Sequence, residues 1–397
     1  MKNIQDISLD GKRVLIRVDF NVPLDEHFNI TDNSRILAAL PTIKKVISCG
    51  GKAIIMSHLG RPKDGFEEKF SLKHIVNQLS KLLDRTVAFS NDCIGESATA
   101  DISKLENGDV LVLENLRFYK EEKLGDIKFA EQLSELADIY INDAFGTAHR
   151  AHASTAIIAD FFPNNKYFGF LLSGEIESLE KSLTTPKRPF TAIIGGAKIT
   201  GKIDVIKSLF DKVDSLIIGG GMAYTFAKAC GGNIGNSLIE EEKIALAKQL
   251  IEDAKNKGVK LLLPTDSVNA DDFNNNANIN ITDIKNITNE YMGLDIGPDS
   301  IASFSGIIKN SKTIIWNGPM GVFEMENFSK GTKEICEAIC EATENGAFSL
   351  IGGGDSVSAV KKFGFADKVS YISTGGGAML EYLEGKELPG VVAIQKI

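Results

Sequence analysis

Short apolar runs alternate with longer amphipathic stretches along most of this 397-residue chain. Apolar runs between segments of helical periodicity are typical of buried strands in a parallel sheet, with the connecting helices covering both faces. The pattern therefore predicts an α/β protein of doubly wound parallel sheets. The predicted strands are Val14–Val18, Ala53–Met56, Val110–Leu113, Ala192–Ile194, Ser215–Ile218, Lys260–Leu263, Thr313–Trp316 and Phe348–Ile351, and the predicted helices include Ser71–Leu83, Ile127–Leu136 and Lys330–Thr343.

A chain with 43% hydrophobic residues has the composition of a globular protein, and this one is too long for a single ordinary core. We therefore expect two domains. Leu171–Leu183 is a charged helical segment, and Pro186 and Pro189 beyond it cannot continue a helix. We therefore expect a first domain over 1–170, an interdomain helix over 171–185 and a second domain over 186–387. The Asn-rich segment 271–286 predicts an exposed polar loop or an edge hairpin.

The charge and the cysteines restrict the partners. A net charge of −9 and a pI near 5.3 argue against nucleic acid or an anionic membrane surface as the main partner, because both bind positively charged protein surfaces. No stretch has the apolar length of a membrane span, and the N-terminus has no apolar signal segment. The five cysteines are an odd number without CxxC spacing, which is typical of reduced thiols. We expect a cytoplasmic protein.

Polar residues follow the predicted strands in the first half of the chain. The carboxyl ends of parallel strands converge on one crevice, so these side chains are expected to face a common space. Arginine there suits a carboxylate or phosphate because its fork donates two parallel hydrogen bonds. Each arginine could instead pair with a surface acid. The residues concerned are Arg17, Asp19, Asn21, Arg35, His58, Arg61, Arg117, His149, Arg150 and His152.

Glycine runs follow the predicted strands in the second half, and most lead into a helical pattern. Glycine lets a ligand approach the backbone, and a helix N-terminus offers free N–H groups at its positive end, as in nucleotide sites. A tight turn between strand and helix also needs glycine for steric reasons alone. Asp355 in GGGDS is either an Mg²⁺ ligand or a helix N-cap.

The stretch from Gly196 to Lys202 is one residue short of a phosphate-binding P-loop. That motif requires Ser or Thr next, to reach Mg²⁺, and this chain has Ile203. No segment matches the dinucleotide-binding pattern GxGxxG, and the HRD and DFG elements of protein kinases and a GxSxG nucleophile are missing too.

The motif series as a whole resembles the phosphoglycerate kinase family from about residue 11 to the C-terminus. The motifs are RVDFNVP, SHLGRP, LENLRFYKEE, DAFGTAHRAH, GGAKITGK, IIGGGMAYTF, YMGLDIGPDS, WNGPMGVFE, GGGDS and STGGGA, in this order. The resemblance implies a two-domain, hinge-bending kinase that moves a phosphoryl group between 1,3-bisphosphoglycerate and Mg·ADP, giving 3-phosphoglycerate and ATP. It also implies that the C-terminal segment 388–397 packs back on the first domain and that the enzyme is a monomer.

The same resemblance implies roles for individual residues. The phosphoglycerate site would consist of Asp19, Phe20, Asn21, Arg35, His58, Leu59, Gly60, Arg61, Arg117 and Arg150. The nucleotide site would consist of Gly195, Gly196, Ala197, Lys198, Lys202, Gly220, Gly293, Leu294, Asn317, Glu324, Gly353, Gly354, Asp355, Ser356 and Gly377. Arg35, Lys198, Lys202 and Gly376 would be catalytic, and Asp355 would carry Mg²⁺.

Two positions depart from the family pattern. Gly201 stands where an acidic residue is frequent, and Ser356 where Thr is frequent, which keeps the hydroxyl.

The chemistry needs no general base, because the nucleophile of the reverse reaction is an ionised carboxylate. Two other hypotheses stay open from the residues alone: a diverged P-loop ATPase, which Ile203 argues against, and a non-catalytic sensor of polyanions or nucleotides.

Overall fold

The computed structural model describes residues 3–5, 7–63 and 65–396, and the chain divides into two compact units. Unit 1 comprises the residues up to Glu177 together with those from Glu387 onward, and unit 2 comprises Ser178–Lys386. The division falls inside one long helix, Phe170–Leu183.

Unit 1 is built on a parallel sheet with helices between its strands. Its elements are β1 Arg13–Val18, α1 Ser34–Ser48, β2 Lys52–Met56, α2 Lys73–Leu83, β3 Val87–Phe89, α3 Gly95–Ser103, β4 Val110–Val112, α4 Lys120–Leu124, α5 Ile127–Ser134, β5 Ile139–Asp143, β6 Lys166–Phe168 and α6 Phe170–Leu183. Across the sheet the order is β3-β4-β2-β1-β5-β6, and every neighbouring pair is parallel.

The central strands of unit 1 are continuous apolar runs because both of their faces are covered. All residues of β1 after Arg13 are buried, and β5 is buried throughout. One side of the sheet packs on the apolar face of α1, which supplies Ile36, Ile43 and Val46 to the core. This burial holds the strand ends in fixed positions, and the polar residues that follow them are placed accordingly.

Unit 2 repeats this arrangement. Its elements are β7 Phe190–Ile194, α7 Ile203–Leu209, β8 Ser215–Ile218, α8 Met222–Ala229, β9 Asn233–Ile234, α9 Ile244–Asn256, β10 Lys260–Leu262, β11 Asp266–Ala270, β12 Ile279–Asp283, β13 Asn286–Ile287, β14 Met292–Ile296, α10 Pro298–Lys309, β15 Thr313–Asn317, α11 Lys330–Glu344, β16 Phe348–Gly352, α12 Gly354–Lys362, β17 Tyr371–Ile372 and α13 Gly376–Leu383. The main sheet has the order β10-β8-β7-β15-β16-β17 and is parallel throughout.

Two small additions accompany the main sheet of unit 2. An antiparallel sheet has the order β12-β11-β14, and β13 pairs with β9. The Asn-rich segment forms the turn into β12, which is the edge strand of the antiparallel sheet, and Asn280 and Thr282 alternate there with the exposed Ile279 and Ile281. The predicted edge hairpin is therefore the correct alternative for this segment.

The predicted fold class is confirmed, since both units contain a parallel sheet with interleaved helices. Each predicted strand occurs: Ser215–Ile218 has the predicted bounds, and the others differ by one or two residues at one end. The predicted helix Ser71–Leu83 begins at Lys73. Element ends are the least certain part of such predictions because hydrogen bonds at the ends depend on the surrounding structure.

The last helix, α14 Pro389–Gln395, is grouped with unit 1. The backbone N–H of Gly390 donates to the oxygen of Ala148 at 2.8 Å, and Asn142 Nδ2 donates to the oxygen of Gly390 at 3.4 Å. Among the described residues, no helix combines the length and the apolar character that a membrane crossing requires.

Candidate active site

In unit 1 the chain changes direction across the sheet at β1. From β1 it runs first to β2 on one side and later to β5 on the other. In open α/β sheets, ligands bind in the crevice outside the carboxyl ends of the strands at such a switch point. The residues that follow the strands here are polar: Asp19 follows β1, His58 comes just after β2, and Arg117 lies in the short 3₁₀ helix Leu116–Phe118 after β4.

Asp19 brings three of these segments together. Its carboxylate accepts a hydrogen bond from Arg35 Nη1 at 2.9 Å, which places the start of α1 beside the end of β1. It also accepts from the backbone N–H of Asn21 at 3.2 Å, and the Asn21 side-chain oxygen accepts from the N–H of Gly60 at 2.8 Å. The segments RVDFNVP, SHLGRP and the start of α1 therefore meet at one edge of the sheet.

Arg17 and His58 form the buried base of this region. Arg17 is fully buried and His58 is 3% exposed. Arg17 donates through Nε to Ser154 Oγ at 2.8 Å and through Nη1 to the backbone oxygen of Val18. Its Nη2 lies 3.2 Å from His58 Nδ1. The guanidinium charge is thus held by groups that are themselves neutral.

The electrostatics of this region are dominated by arginine. Burial lowers the pKa of His58 well below its usual range, and the charges of Arg17, Arg117 and Arg35 lower it further. Burial, followed by the charge of Arg17, also lowers the pKa of Arg117, although a guanidinium stays protonated in proteins. His58 is therefore a neutral imidazole at pH 7, and the positive field around it suits a small polyanion.

Arg117 enters the same region from the side of β4. Its Nη1 donates to the backbone oxygen of Gly60 at 2.9 Å, while its Nε is buried without a hydrogen-bond partner among the described residues. A buried donor without a partner calls for a ligand or an ordered water to complete it. Arg61 and Arg150 are both exposed to solvent, and the charge of Arg61 acts on Arg117.

Two of the predicted substrate residues have buried side chains and lie in the scaffold beneath the strand ends. The N–H of Phe20 donates to Ser57 Oγ at 2.8 Å, and the N–H of Leu59 donates to Asn115 Oδ1 at 3.2 Å. Asn115 Nδ2 donates in return to the oxygen of Leu59 at 2.7 Å. Ser57 and Asn115 lie within the motifs SHLGRP and LENLRFYKEE, but no role was predicted for either residue.

In unit 2 a cavity of about 470 Å³ lies at the carboxyl ends of the central strands. The switch point is at β7, since the chain runs from it to β8 on one side while β15 pairs with it on the other. Gly220, Gly293 and Leu294 line this cavity, and Glu324 and Asp355 place carboxylates at it. Met320 and Tyr224 line it as well; they lie within the motifs WNGPMGVFE and IIGGGMAYTF, but no role was predicted for either residue.

The glycines of this cavity are required by close backbone packing. Gly196 has a φ of +110° and Gly220 a φ of +68°, both in the region that favours glycine. A Cβ on Gly220 would lie 2.5 Å from the nitrogen of Gly196, and a Cβ on Gly293 would lie 2.1 Å from the Tyr224 hydroxyl oxygen. At these glycines the cavity wall is bare backbone, against which a flat ring can lie.

Lys202 lies at the start of α7 and points at the end of β15, where its Nζ donates to Asn317 Oδ1. Burial lowers the pKa of Lys202 to about 8, while the carboxylate of Asp355 opposes this shift. Asn317 is buried, and its Nδ2 has no hydrogen-bond partner among the described residues. The pair thus offers a partly desolvated ammonium group and an unused amide donor.

Two helix N-termini meet beside this pair. Gly353 is the N-cap of α12, and α13 begins at Gly376. A Cβ on Gly376 would lie 3.3 Å from the Gly353 Cα, so the two helix starts are neighbours. Gly354 is the first residue of α12, and Gly377 is the second residue of α13. Backbone N–H groups at these positions have no partner within the helix. Together the two helix ends form an anion-binding arrangement.

The remaining predicted nucleotide residues differ in exposure. Ala197, Lys198 and Glu324 are exposed. The N–H of Gly195 donates to the oxygen of Asn317 at 2.9 Å, and so forms part of the sheet edge. Ser356 is fully buried, and its Oγ accepts from the N–H of Gly318 at 2.6 Å, so this hydroxyl fixes the turn after β15.

Asp355 fits the coordination chemistry of Mg²⁺. Its exposed carboxylate lies in the first turn of α12 and lines the cavity of unit 2. Mg²⁺ usually binds proteins through one or two carboxylates plus substrate phosphates and waters, not through an all-protein cage. Among the described residues no group of three or more His, Cys, Asp or Glu side chains could hold a metal.

The fold and these two strand-end regions define a class: an α/β enzyme with an arginine-rich cluster in one unit and a glycine-lined cavity beside two helix N-termini in the other. A family model described as phosphoglycerate kinase matches residues 4–386. The chain belongs to the phosphoglycerate kinase family, and it is a kinase that acts in glycolysis.

Individual relatives agree with this assignment. The chain is 53% identical over 416 residues to a phosphoglycerate kinase of Porphyromonas gingivalis, covering 99% of both chains. It is 54% identical over 386 residues to one of Thermosynechococcus vestitus, covering 97% of this chain and 96% of that one. The structure of phosphoglycerate kinase from Coxiella burnetii superposes with a TM-score of 0.90 at 42% identity, covering 99% of this chain and 98% of that chain. That from Pyrococcus horikoshii gives a TM-score of 0.86 at 31% identity, covering 100% and 99%.

Proposed function

We propose that this chain moves a phosphoryl group between 1,3-bisphosphoglycerate and Mg·ADP, with the phosphoglycerate bound in unit 1 and the nucleotide in unit 2. The observation that carries the proposal is the arginine cluster around neutral His58, in which the buried Nε of Arg117 lacks a partner. A ligand with a carboxyl group and a phosphate supplies acceptors for several such donors at once.

In the phosphoglycerate site, Arg35 and Arg117 are proposed to bind the two charged ends of the ligand. Asp19 holds Arg35 through Nη1 alone, which leaves the other side of the fork for an anion. Arg61 and Arg150 complete the site from the exposed side, and His58 donates a neutral hydrogen bond at its base. The field of the site thus neutralises a polyanion without offering a general acid.

In the nucleotide site, the base is proposed to lie between Gly220 and Leu294, with Glu324 binding the ribose hydroxyls. The phosphates would then extend towards Lys202 and Lys198 and towards the paired helix starts at Gly353 and Gly376. Bound Mg²⁺, held by Asp355 together with the phosphates, supplies charge neutralisation and orientation.

The proposed chemistry requires positioning and charge stabilisation more than proton transfer. The acceptor of the reverse reaction is a carboxylate, which is already ionised at neutral pH. Arg35, Lys202 and the N–H groups of Gly376 and Gly377 are proposed to stabilise the charge that spreads over the transferring group. Removal of one such preorganised donor typically lowers kcat by about a hundredfold or more.

We further propose that the enzyme acts as a monomer in the cytoplasm. All proposed ligand residues of each site come from a single unit of one chain, and the spacing of the five cysteines favours a reducing compartment. Sedimentation velocity at micromolar concentration, with and without both ligands, tests the monomer; a dimer that is required for activity would refute it.

The function is tested by a coupled assay with 3-phosphoglycerate and Mg·ATP. Arg117→Ala should raise the KM for 3-phosphoglycerate by about tenfold to a hundredfold, the value of one charge-assisted hydrogen bond, and leave the KM for ATP near wild type. Arg13→Ala is the matched control, because Arg13 lies at the opposite end of β1 and pairs with Asp138 at 2.8 Å. ATP hydrolysis that does not depend on 3-phosphoglycerate, or equal changes in both KM values, would contradict the proposal.

A further inference from the structure

A buried chain of hydrogen bonds lies beneath the phosphoglycerate site. It begins at Glu122 in α4, which is fully buried, and its two carboxylate oxygens accept from Ser154: Oε2 from the backbone N–H at 2.9 Å and Oε1 from the hydroxyl at 2.6 Å. Ser154 Oγ in turn accepts from Arg17 Nε at 2.8 Å, and Arg17 Nη2 lies 3.2 Å from His58 Nδ1.

The direction of every hydrogen bond in this chain is determined by its chemistry. An ionised carboxylate only accepts, so the hydroxyl proton of Ser154 points at Glu122 and leaves a lone pair for Arg17. A guanidinium only donates, so His58 Nδ1 must accept from Arg17 Nη2. A neutral imidazole with an accepting Nδ1 carries its single proton on Nε2.

We propose that Glu122 and Ser154 are positioning residues that hold Arg17 in place and thereby keep His58 as the Nε2–H tautomer, with one N–H donor for the bound phosphoglycerate. This inference rests on the proposed function for the identity of the ligand. The neutral state of His58 agrees with its lowered pKa, which burial and the surrounding arginines cause.

Burial of Glu122 is hard to explain by stability alone. A fully buried carboxylate loses its hydration, and well-packed apolar residues in place of a buried charge are frequently neutral or stabilising. The imidazole of His152, whose Nδ1 is 3.8 Å from Glu122 Oε1, does not offset the charge, because burial lowers the pKa of His152 to about 4. The guanidinium groups that offset it are Arg17, through Ser154, and Arg117, on which the Glu122 charge also acts.

The arrangement has a functional consequence for ligand binding. Without the serine hydroxyl, the Nε of Arg17 loses its acceptor, and only the bond from Nη1 to the Val18 oxygen still holds the guanidinium, so that Nη2 can shift away from His58 Nδ1. The imidazole is then free to exchange its proton between Nδ1 and Nε2. A tautomer with its proton on Nδ1 presents a lone pair, in place of a donor, to an anionic ligand and repels it.

The tautomer is measured directly by two-bond ¹H–¹⁵N correlation spectra of the whole protein labelled with ¹⁵N-histidine. The His58 signals are assigned by their loss in His58→Gln. In the wild type, His58 should show the Nε2–H pattern, unchanged between about pH 6 and pH 8. An Nδ1–H pattern in the wild type would overturn the inference, and this measurement needs no variant of the relay.

Ser154→Ala and Glu122→Gln then test the positioning role. Each should give mixed tautomers at His58 and raise the KM for 3-phosphoglycerate by about tenfold, the value of one lost hydrogen bond to a charged ligand, with the KM for ATP unchanged. Ser154→Thr, which keeps the hydroxyl, should restore the Nε2–H pattern. Ser90→Ala is the matched control, since Ser90 is another fully buried serine of unit 1 outside the chain of hydrogen bonds.

The outcomes separate this inference from the proposed function. A folded Ser154→Ala variant that keeps both the pure Nε2–H pattern and the wild-type KM would overturn the role of Ser154. Absence of any turnover of 3-phosphoglycerate by the wild type, together with the Nε2–H pattern, would instead count against the proposed function. If Ser154→Ala does not fold, Glu122→Gln and the wild-type spectrum still decide the matter.

Discussion

The affinity for Mg·ADP should fall as the pH rises through 8, because Lys202 must be protonated to bind phosphate. Burial lowers the pKa of Lys202 to about 8 in the free protein, well below the ordinary lysine value, and the bound polyanion would raise it again. Only protein with a protonated Lys202 binds well, so Kd is proportional to 1 + 10^(pH − pKa). Between pH 7 and pH 9 this amounts to an increase of about tenfold.

The loss of affinity has an upper limit. A hydrogen bond from a charged donor contributes about 1.5 to 3 kcal/mol, so the profile should level off after a total loss of about tenfold to a hundredfold. Isothermal titration calorimetry with Mg·ADP at constant ionic strength, in buffers of different ionisation enthalpy, gives both Kd and the proton taken up on binding. Proton uptake should be largest near pH 8 to 9.

Lys202→Arg is the matched control, because a guanidinium stays protonated over the whole range. Its Kd should exceed that of the wild type at pH 7 only by the cost of fitting the larger group, and it should not change with pH. Asp295 titrates in the same pH window, because burial raises the pKa of its carboxyl to about 8. It lies next to Gly321, since a Cβ on that glycine would be 2.2 Å from Asp295 Oδ1. Asp295→Asn therefore serves as a second control. A flat wild-type profile, or the wild-type slope in Lys202→Arg, would refute the reasoning.

Three further predictions follow from particular residues. Asp355→Asn should weaken Mg·ADP binding and turnover while leaving 3-phosphoglycerate binding unchanged; since Gly353 and not Asp355 is the N-cap of α12, an unaltered calorimetric affinity for Mg·ADP would contradict a role of Asp355 at the metal. Gly60→Ala should lower the free energy of unfolding in urea by about 2 to 4 kcal/mol, because a Cβ there would lie 2.2 Å from the Phe70 ring. Gly65→Ala has a similar φ but an open surrounding, so it should cost only about 1 kcal/mol, and equal losses would contradict the packing argument. Burial raises the pKa of Asp143 to about 7, so the stability of the folded protein falls as the pH rises from about 4 to 7. The difference in Tm between Asp143→Asn and the wild type should therefore grow over that pH range. A difference that does not change with pH would contradict this prediction.

The sequence patterns were sufficient where the physics is local. Continuous apolar runs such as Val110–Leu113 predict buried parallel strands because both faces of such a sheet are covered. Glycine after a strand predicts a close backbone approach, and the φ of +68° at Gly220 is the conformation that glycine permits. The sequence was also sufficient to argue against a P-loop at Gly196. Ile203 stands where that motif requires Ser or Thr, it has no oxygen for a metal, and it is the first residue of α7.

Contacts between distant segments could not be predicted in the same way. In the antiparallel sheet the β11–β12 hairpin is local, but the pairing of β14 with β11 was not predicted, because β12 and β13 separate the two strands in the chain and no single run of residues signals the partner. Asn115 and Ser57 are ordinary polar residues in the sequence, and only the fold places them where they fix the backbone at Leu59 and Phe20.

The sequence by itself determined the fold class, the family and the residue types available at each strand end, because periodicity, turn chemistry and motif order are properties of neighbouring residues. The tertiary structure decided which of those residues share a charge environment. Glu122 and Ser154 lie 32 residues apart, and Ser154 is 137 residues from Arg17, yet burial joins all three beneath His58. The lowered pKa of His58 comes from desolvation and from arginine charges brought close by folding, and that of Lys202 comes from desolvation, which the Asp355 carboxylate opposes; no local pattern encodes either.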